Sequence, residues 1–296
     1  MSNLKALKLR IKSVKSTQKM TKAMKMVAAS RLKKAKSLVE GSRPYANKIE
    51  QIITDLASNV AVRGCLKEDF PLLTGKGEDK QHLIIVFSTD RGLCGGLNGA
   101  TVKMAKAHIE DLEKQGKKVK LYFVGKKAYE QLRRVHEDKI IEKDFGLFKG
   151  QITFDMAKQI ADKVVKLFNE GQFDSCEVVY SEFKSAIAQD QIFKQLIPAQ
   201  IDIKQVKENT PQAPVSYESS EEEVLGELLP LNLAMQIYNE MLENSASEQG
   251  ARMAAMEAAT NNAGKMIKEL TLVYNRTRQA NITTELIDII SGANSV

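Results

Sequence analysis

Apolar residues near the start of the chain recur in alternating steps of three and four, the spacing of a helix that buries one face against a partner helix. Gly41 and Pro44 are the only glycine and proline between about residues 3 and 58. The pattern weakens in the middle of this segment, where methionines replace the aliphatic residues. A coiled-coil helix roughly 80 Å long is predicted. Its apolar positions are Leu4, Leu7, Ile11, Val14, Tyr45, Ile49, Ile52 and Leu56, with Met20, Met24, Met26 and Val27 between them.

A second helical pattern covers the last segment, about residues 230–292. Its seam is apolar or small except at three successive polar positions, Ser245, Gln249 and Arg252. A helix of roughly 95 Å is predicted. Because a domain separates the two helices, we expect them to pair antiparallel, with the C-terminal end overhanging by about ten residues or more. The other seam positions are Met235, Tyr238, Leu242, Met256, Ala259, Ala263, Met266, Leu270, Val273, Thr277 and Ala280.

The middle of the chain, about residues 80–200, alternates short buried strands with helices, which indicates a parallel or mostly parallel α/β sheet. A polar stretch at 201–227, with an acidic run, predicts a loop or extended link. We therefore predict an α/β protein that combines a long antiparallel coiled coil with a central Rossmann-like domain, divided as 1–60, 61–227 and 228–296. Strands are expected at 82–87, 119–124, 177–183 and 192–197, and helices at about 100–115, 129–135 and 153–169.

Positive charge is concentrated at the amino terminus. Residues 1–39 carry twelve lysines and arginines and no acidic residue, whereas the rest of the chain has 32 basic and 37 acidic residues. Such asymmetry indicates an acidic partner, for which nucleic acid, anionic lipid and an acidic protein surface are candidates. The charges lie all round the helix and no aromatic residue precedes Tyr45, so no nucleic-acid-binding module is recognised. An ordinary solvated lysine face is the alternative.

Composition argues against several other classes of protein. No window approaches about 18 uncharged apolar residues, so no membrane-spanning helix is expected. Cys65, Cys94 and Cys176 are widely spaced and lack clustered histidines, which argues against a disulfide framework, a metal site or histidine-dependent catalysis. The amino terminus lacks the apolar core of a secretory signal and runs directly into a helical pattern, so a cytoplasmic chain is expected.

One glycine-rich segment, STDRGLCGGLN at residues 88–98, follows a predicted strand and precedes a helix. Backbone amides at such a turn can bind phosphate. The segment matches neither the Walker spacing nor the dinucleotide fingerprint. The pattern therefore favours a tight strand-to-helix turn made possible by the glycines, with nucleotide binding as the alternative.

Two features of the terminal helices have both a structural and a functional interpretation. The methionines of the first helix are more often core residues, although flexible thioethers also suit a surface that slides past several partners. Near the overhanging end, Arg276, Arg278, Gln279 and Asn281 are either a polar helix exterior or donors for carboxylates on a surrounding protein.

Several long motifs resemble the gamma subunits of F-type ATP synthases. The segment IKSVKSTQKMTKAMKMVAASRLKKA is similar to their first helix and STDRGLCGGLN to their central-domain turn. SEQGARMAAMEAATNNAGKMI and LVYNRTRQANITTELIDIISGA are similar to their last helix. The resemblance is strong at both ends of the chain and looser in the middle. It implies a rotating central-stalk subunit that is not itself an enzyme and holds no cofactor or metal.

The resemblance also implies partners and site residues. The partners would be three alpha and three beta subunits, the epsilon subunit and the c-ring, with no nucleic acid. Association with the membrane would occur only through the complex, on the cytoplasmic face of the bacterial plasma (inner) membrane. Residues expected to contact beta subunits are Arg278, Gln279, Thr283, Arg252 and Met24. The apolar tip expected to turn inside a hydrophobic bearing consists of Leu286, Ile287, Ile289 and Ile290.

Overall fold

The computed structural model describes residues 2–62, 70–199 and 220–293. The chain divides into two compact units, one of Met1–Ala29 with Arg252–Val296 and the other of Ser30–Ala251. The helices are α1 (Ser2–Val62), α2 (Pro71–Thr74), α3 (Leu97–Lys114), α4 (Lys126–His136), α5 (Phe154–Asn169) and α6 (Glu221–Ala293). The strands are β1 (Gln81–Phe87), β2 (Lys118–Val124), β3 (Ile140–Asp144), β4 (Ser175–Phe183) and β5 (Gln189–Ile197).

The long terminal helices are present as predicted, but α6 begins earlier than expected. Residues 221–227 of the predicted link are helical, whereas 201–219 lie outside the described residues. The helix start has a local cause, because Ser220 Oγ accepts a hydrogen bond from the Glu223 amide at 3.2 Å. Glutamates also fill the first turn, where the helix dipole favours negative charge. The acidic residues 221–223 are therefore a helix start and not a loop.

In the first unit α1 and α6 run antiparallel. The hydroxyls of Thr21 and Thr260 lie 2.7 Å apart. Lys25 Nζ donates to Glu257 Oε1 at 2.6 Å. Moving forward along α1 therefore means moving backward along α6, which is the predicted antiparallel orientation.

Small and polar side chains fill the seam of α1 where the apolar pattern is weak. Thr21 and Ala28 are buried, whereas Met20 and Met26 are each 62% exposed. The expectation that the methionines form a core is therefore wrong for these two residues. Small residues at the contact let two helices approach closely, so bulky side chains at neighbouring positions point away from it.

At three positions the contact is made by the residue next to the predicted one. Ala46, Ile267 and Tyr274 are less exposed than the predicted seam residues beside them and take the contact positions instead. Where two adjacent residues are both apolar or small, steps of three and of four fit the sequence equally well, and the packing partner decides between them. The predicted positions that prove exposed are Tyr45, Met266 and Val273.

The second unit contains a mostly parallel five-stranded sheet in the order β3-β2-β1-β4-β5. β1 pairs in parallel with both β2 and β4, and β2 pairs in parallel with β3. β5 is antiparallel to β4. The predicted α/β class is confirmed, but β3 was missed. It is a five-residue edge strand with three charged residues and no fully buried position, so it lacks the apolar run that marked the others.

Alternate residues of the central strands supply two cores, one on each face of the sheet. Ile84 and Val86 face α3 and α4, whereas Leu83, Ile85 and Phe87 face α5 and part of α6. This alternation is the two-residue period of a strand covered on both sides. The α6 side chains that join this core are Leu233, Ile237, Met241 and Leu242.

Candidate functional site

The C-terminal end of α6 carries a run of exposed apolar side chains. Every residue from 282 to 290 is exposed, and Ile289 reaches 72%. Thr21 lies opposite Thr260 and the helices are antiparallel, so Ser2 lies opposite about residue 279. Beyond that residue, no described part of α1 packs against α6. Apolar side chains that no described segment covers mark a contact surface. The others in this run are Ile282, Leu286, Ile287 and Ile290.

Arg278, Gln279 and Thr283 lie immediately before and within this exposed end. All three are exposed, and the Thr283 hydroxyl donates to the Gln279 carbonyl oxygen at 2.9 Å. No carboxylate of the described residues lies within ion-pair distance of the Arg278 guanidinium. The structure therefore places these three predicted contact residues on one stretch of helix, with donors available to an outside acceptor.

Met24 and Arg252 form a second group on the paired part of the helices. Both are half-buried, and Met24 precedes Lys25, whose ammonium pairs with Glu257. Arg252 precedes Arg278 by 26 positions, which is about 39 Å of helix rise. The predicted contact residues are thus split between two levels of the same helical pair.

Exposed cations surround the exposed methionines of α1. Lys25 has an ion pair, and none of the other lysines and arginines between residues 4 and 29 has a carboxylate of the described chain within 4.0 Å. Met20 and Met26 are exposed within the same segment. The segment therefore offers apolar thioethers within positive charge, which suits an acidic partner with apolar side chains.

The glycine-rich turn after β1 is held by its own side chains. The Asn98 amide donates to Thr89 Oγ1 at 2.8 Å, and its oxygen accepts from the Thr89 amide at 3.1 Å. The Asp90 carboxylate accepts from the backbone amides of Gly146 and Phe148 at 2.9 and 3.2 Å. A carboxylate at this edge of the sheet repels phosphate. These contacts favour the structural interpretation of the turn over nucleotide binding.

Leu93, in the middle of the same turn, is a residue that the sequence analysis passed over. Its side chain is 61% exposed, and its φ of 65° lies in the left-handed region. That conformation costs a leucine roughly 1–2 kcal/mol. An exposed apolar residue held at such a cost is a candidate contact residue. Its only sequence signal is its position between glycines.

α6 packs on the carboxyl end of β4, the strand beside β1 in the centre of the sheet. In doubly wound sheets ligands bind outside the carboxyl ends of the strands. Here Glu243 Oε2 accepts from the Phe183 amide at 3.2 Å, and the Ser247 hydroxyl donates to the Ser181 carbonyl oxygen at 2.8 Å. Side chains of α6 thus satisfy backbone groups at the end of β4.

Glu240 lies on the same face of α6 with a side chain only 3% exposed. Lys194 Nζ of β5 approaches Oε1 to 3.0 Å, yet neither carboxylate oxygen has a well-oriented hydrogen bond from the described residues. Burial therefore outweighs the lysine and raises the pKa of Glu240 to about 7. The negative charge of Glu240 also contributes to the raised pKa of Tyr180 and of the Cys176 thiol, both of which are dominated by burial.

Metal, disulfide and membrane features are absent from the part of the chain that the structure describes. No cluster of histidine, cysteine and acidic side chains there is placed to hold a metal. Cys94 and Cys176 are buried and unbridged, and Cys65 lies outside the described residues. None of the described helices combines the length and the apolar character needed to cross a bilayer.

Comparison with known proteins assigns the family. A family model described as ATP synthase matches residues 3–296. The ATP synthase gamma chain of Paramagnetospirillum magneticum is 48% identical over 297 residues, with both chains covered completely. The gamma chain of Pelagibacter ubique is 46% identical over the same length and coverage.

Solved structures agree with these relatives. A chain from the central stalk and c-ring of Tetrahymena thermophila mitochondrial ATP synthase is 27% identical, with a TM-score of 0.60 over 81% of this chain and 99% of that chain. A chain of Euglena gracilis mitochondrial ATP synthase shares the fold, with 21% identity and a TM-score of 0.68 over 99% of this chain and 94% of that one. The family model, the full-length relatives and the helical pair with its α/β domain agree, and the chain belongs to the ATP synthase gamma chain family.

Proposed function

We propose that the chain is the rotating central-stalk subunit of an F-type ATP synthase. In this role it couples rotation of the c-ring, driven by ion flow, to ATP synthesis or hydrolysis at the beta-subunit sites. The observation that carries the proposal is the exposed end of α6, where Ile289 and its apolar neighbours lie beyond the described part of α1. Membership of the gamma chain family supports the same role.

The proposed surroundings are three alpha and three beta subunits around the helical pair, with the epsilon subunit and the c-ring as further partners. The apolar end of α6 would turn inside a hydrophobic bearing. Arg278, Gln279 and Thr283 would contact beta-subunit loops, and Met24 and Arg252 would contact them at a second level. Exposure of the donors at the first level and the uncompensated positive charge around Met24 support these roles.

The coupling of rotation to catalysis follows from the asymmetry of the helical pair. A single pair of helices without internal symmetry presents a different surface to each of three identical partners, so each partner is stabilised in a different conformation. Turning the pair exchanges these surfaces and shifts each partner's conformational populations in sequence. Only differential contacts produce such a shift, which is why exposed side chains at two levels of the pair are the relevant groups.

The chain itself would not be the catalyst. Phosphate and magnesium ligands are required for ATP chemistry, and they would lie on the alpha and beta subunits. The packing of α6 on the carboxyl end of β4 and the Asp90 carboxylate in the glycine-rich turn support this division of roles. The chain would be a peripheral subunit on the cytoplasmic face of the bacterial plasma membrane, held there through the complex.

The first test is reconstitution. The purified chain is mixed with separately purified alpha and beta subunits of the same organism, and magnesium-ATP hydrolysis and the mass of any complex are measured. We expect a large ATPase assembly that contains one copy of this chain. If the chain remains separate and hydrolysis by the other subunits is unchanged, the proposal is wrong.

A further inference from the structure

A cleft of about 590 Å³ opens in the second unit among α1, α6 and the segment that follows β3. Its volume lies within the range of about 300–1,000 Å³ that is usual for small-molecule sites. It shares Phe148 with the Asp90 contact described above, but the Asp90 carboxylate is not among its lining residues. Three cations line it, Arg31, Lys34 and Lys149, and no carboxylate is among the lining residues.

The three cations lack the partners that cations of the same domain have elsewhere. None of them has a carboxylate of the described residues within 4.0 Å, whereas nearby Lys36 and Arg43 pair with Glu40 and Glu243. Uncompensated positive charge that converges on one concave surface attracts an anion. Lysine and arginine together are the side chains that bind phosphate groups most often.

The side chain of Gln249 also lines the cleft. Gln249 is 5% exposed, and no hydrogen bond to its side chain occurs within the described part of the chain. Its amide atoms are not sealed from solvent, so they are available to a ligand in the cleft. Ser37 and Ser245 line the cleft as well, and their hydroxyls have no hydrogen-bond partner among the described residues. These groups add neutral donors to the three cations.

The floor of the cleft is apolar. Leu38, Phe148 and Leu242 line it, and Phe148 belongs to the main core of the domain, which fixes its position. A bare inorganic phosphate leaves most of this volume and the apolar floor unused. A ligand that joins a phosphate to an apolar or aromatic group fits both parts of the surface.

We propose that this cleft binds a phosphorylated small molecule that has an apolar or aromatic part. The phosphate contacts Arg31, Lys34 and Lys149, the Gln249 amide donates to an oxygen of the ligand, and the apolar part lies against Leu38. Binding here is independent of rotation and of contact with other subunits, so it goes beyond the function proposed above.

The test uses flavin mononucleotide as a fluorescent probe of the full chain. Riboflavin is the matched control, because it has the same ring system and lacks the phosphate. We expect the fluorescence anisotropy of flavin mononucleotide to rise on binding, with riboflavin at least about tenfold weaker, as expected for loss of charge-assisted hydrogen bonds. Pyrophosphate is expected to compete with the bound probe.

Matched variants locate the site. Lys34→Gln and Lys149→Gln are each expected to weaken flavin mononucleotide binding about fivefold or more. Lys33→Gln removes the same charge from the exposed neighbour of Lys34 outside the cleft and is expected to change the affinity less than about twofold. Unchanged far-ultraviolet circular dichroism and unfolding temperature check that each variant is folded.

Three results would overturn the proposal. The first is that the full chain does not bind flavin mononucleotide. The second is that riboflavin binds as well as flavin mononucleotide, and the third is that Lys33→Gln weakens binding as much as Lys34→Gln. Assembly with alpha and beta subunits is measured separately, so a failure of this test leaves the rotor proposal untouched.

Discussion

At the scale of single residues, Glu240 makes the stability of the α/β domain depend on pH. Its pKa rises from the model-compound value of 4.5 to about 7 in the folded chain, because burial disfavours the charged form. The folded chain therefore binds this proton more tightly than the unfolded chain does. Stability from this group is fully present below about pH 4.5 and is lost as the pH rises through about 7.

Replacement of Glu240 by glutamine removes this dependence. We expect the stability of Glu240→Gln relative to the wild type to increase between about pH 4.5 and pH 7, by up to roughly 3 kcal/mol. Lys194 is 43% exposed and can be hydrated when its partner is neutral. Urea unfolding at a series of pH values measures the difference, and a constant difference across this range would contradict the prediction.

Arg278 tests the proposed contact with beta subunits. Removal of the guanidinium in Arg278→Ala is expected to slow ATP turnover of the assembled complex about three- to tenfold, because it removes charge-assisted hydrogen bonds. The affinity of the beta sites for nucleotide is expected to stay the same. Lys268→Ala removes an exposed cation on the same helix and serves as the control. Equal turnover in the Arg278 variant, the control and the wild type would count against the contact.

Gly125 is a residue whose backbone conformation the sheet requires. Its φ is 104°, and a Cβ there would lie 2.0 Å from the Ser88 carbonyl oxygen. We expect Gly125→Ala to destabilise the chain by more than about 2 kcal/mol. Gly99→Ala is the matched control, because nothing lies within 4 Å of its Cβ, and it is expected to be neutral or stabilising by about 0.5–1 kcal/mol. Urea unfolding of the two variants compares them directly.

At the scale of elements, the start of α6 depends on a capping residue. Ser220 accepts the Glu223 amide, so Ser220→Ala is expected to weaken the first turn by about 1 kcal/mol. Amide hydrogen exchange within residues 221–226 should then be about fivefold faster. Ser220→Asp keeps an acceptor and is expected to exchange like the wild type. Equal exchange in the alanine variant would show that the cap does not stabilise this turn.

The elements differ in how well the sequence predicts them. α1 and α6 were predictable because their apolar period extends over many turns, and β1 and β2 because each is a continuous buried run. β3 was not predictable in this way, because an edge strand is half-buried and its charged residues interrupt the run. The seam of α6 was ambiguous at Met266 because packing against α1 selects its neighbour.

Only part of the candidate site could be predicted from the sequence. The overhanging end of α6 follows from the unequal lengths of the two helical patterns. The polar row that includes Glu240 and Ser247 could not be inferred, because it depends on how α6 docks on β4. The cleft that contains Lys34 and Lys149 brings together residues that are far apart in sequence, so no local pattern indicates it.

At the scale of the whole molecule, the exposed end of α6 is expected to contribute to assembly of the complex and not to the stability of the isolated chain. Replacing Leu286, Ile287, Ile289 and Ile290 by serine is expected to leave the unfolding temperature of the isolated chain unchanged, because each of these side chains is at least half exposed. The same variant should assemble less well with alpha and beta subunits or support slower turnover. Calorimetry of the chain and the reconstitution assay measure the two effects. Normal assembly and turnover of the serine variant would contradict the proposal that this end turns inside a hydrophobic bearing.

The contribution of α6 to the sheet core has a consequence for biosynthesis. Leu233, Ile237 and Met241 complete the face of the sheet that Phe87 begins, yet about 150 residues of synthesis separate these two parts. At about 5–20 residues per second, a ribosome needs roughly 8–30 s to cover that distance. During this interval the nascent sheet has one uncovered apolar face, so the α/β domain completes its fold only when the C-terminal helix has emerged, and the growing chain is a substrate for chaperones until then.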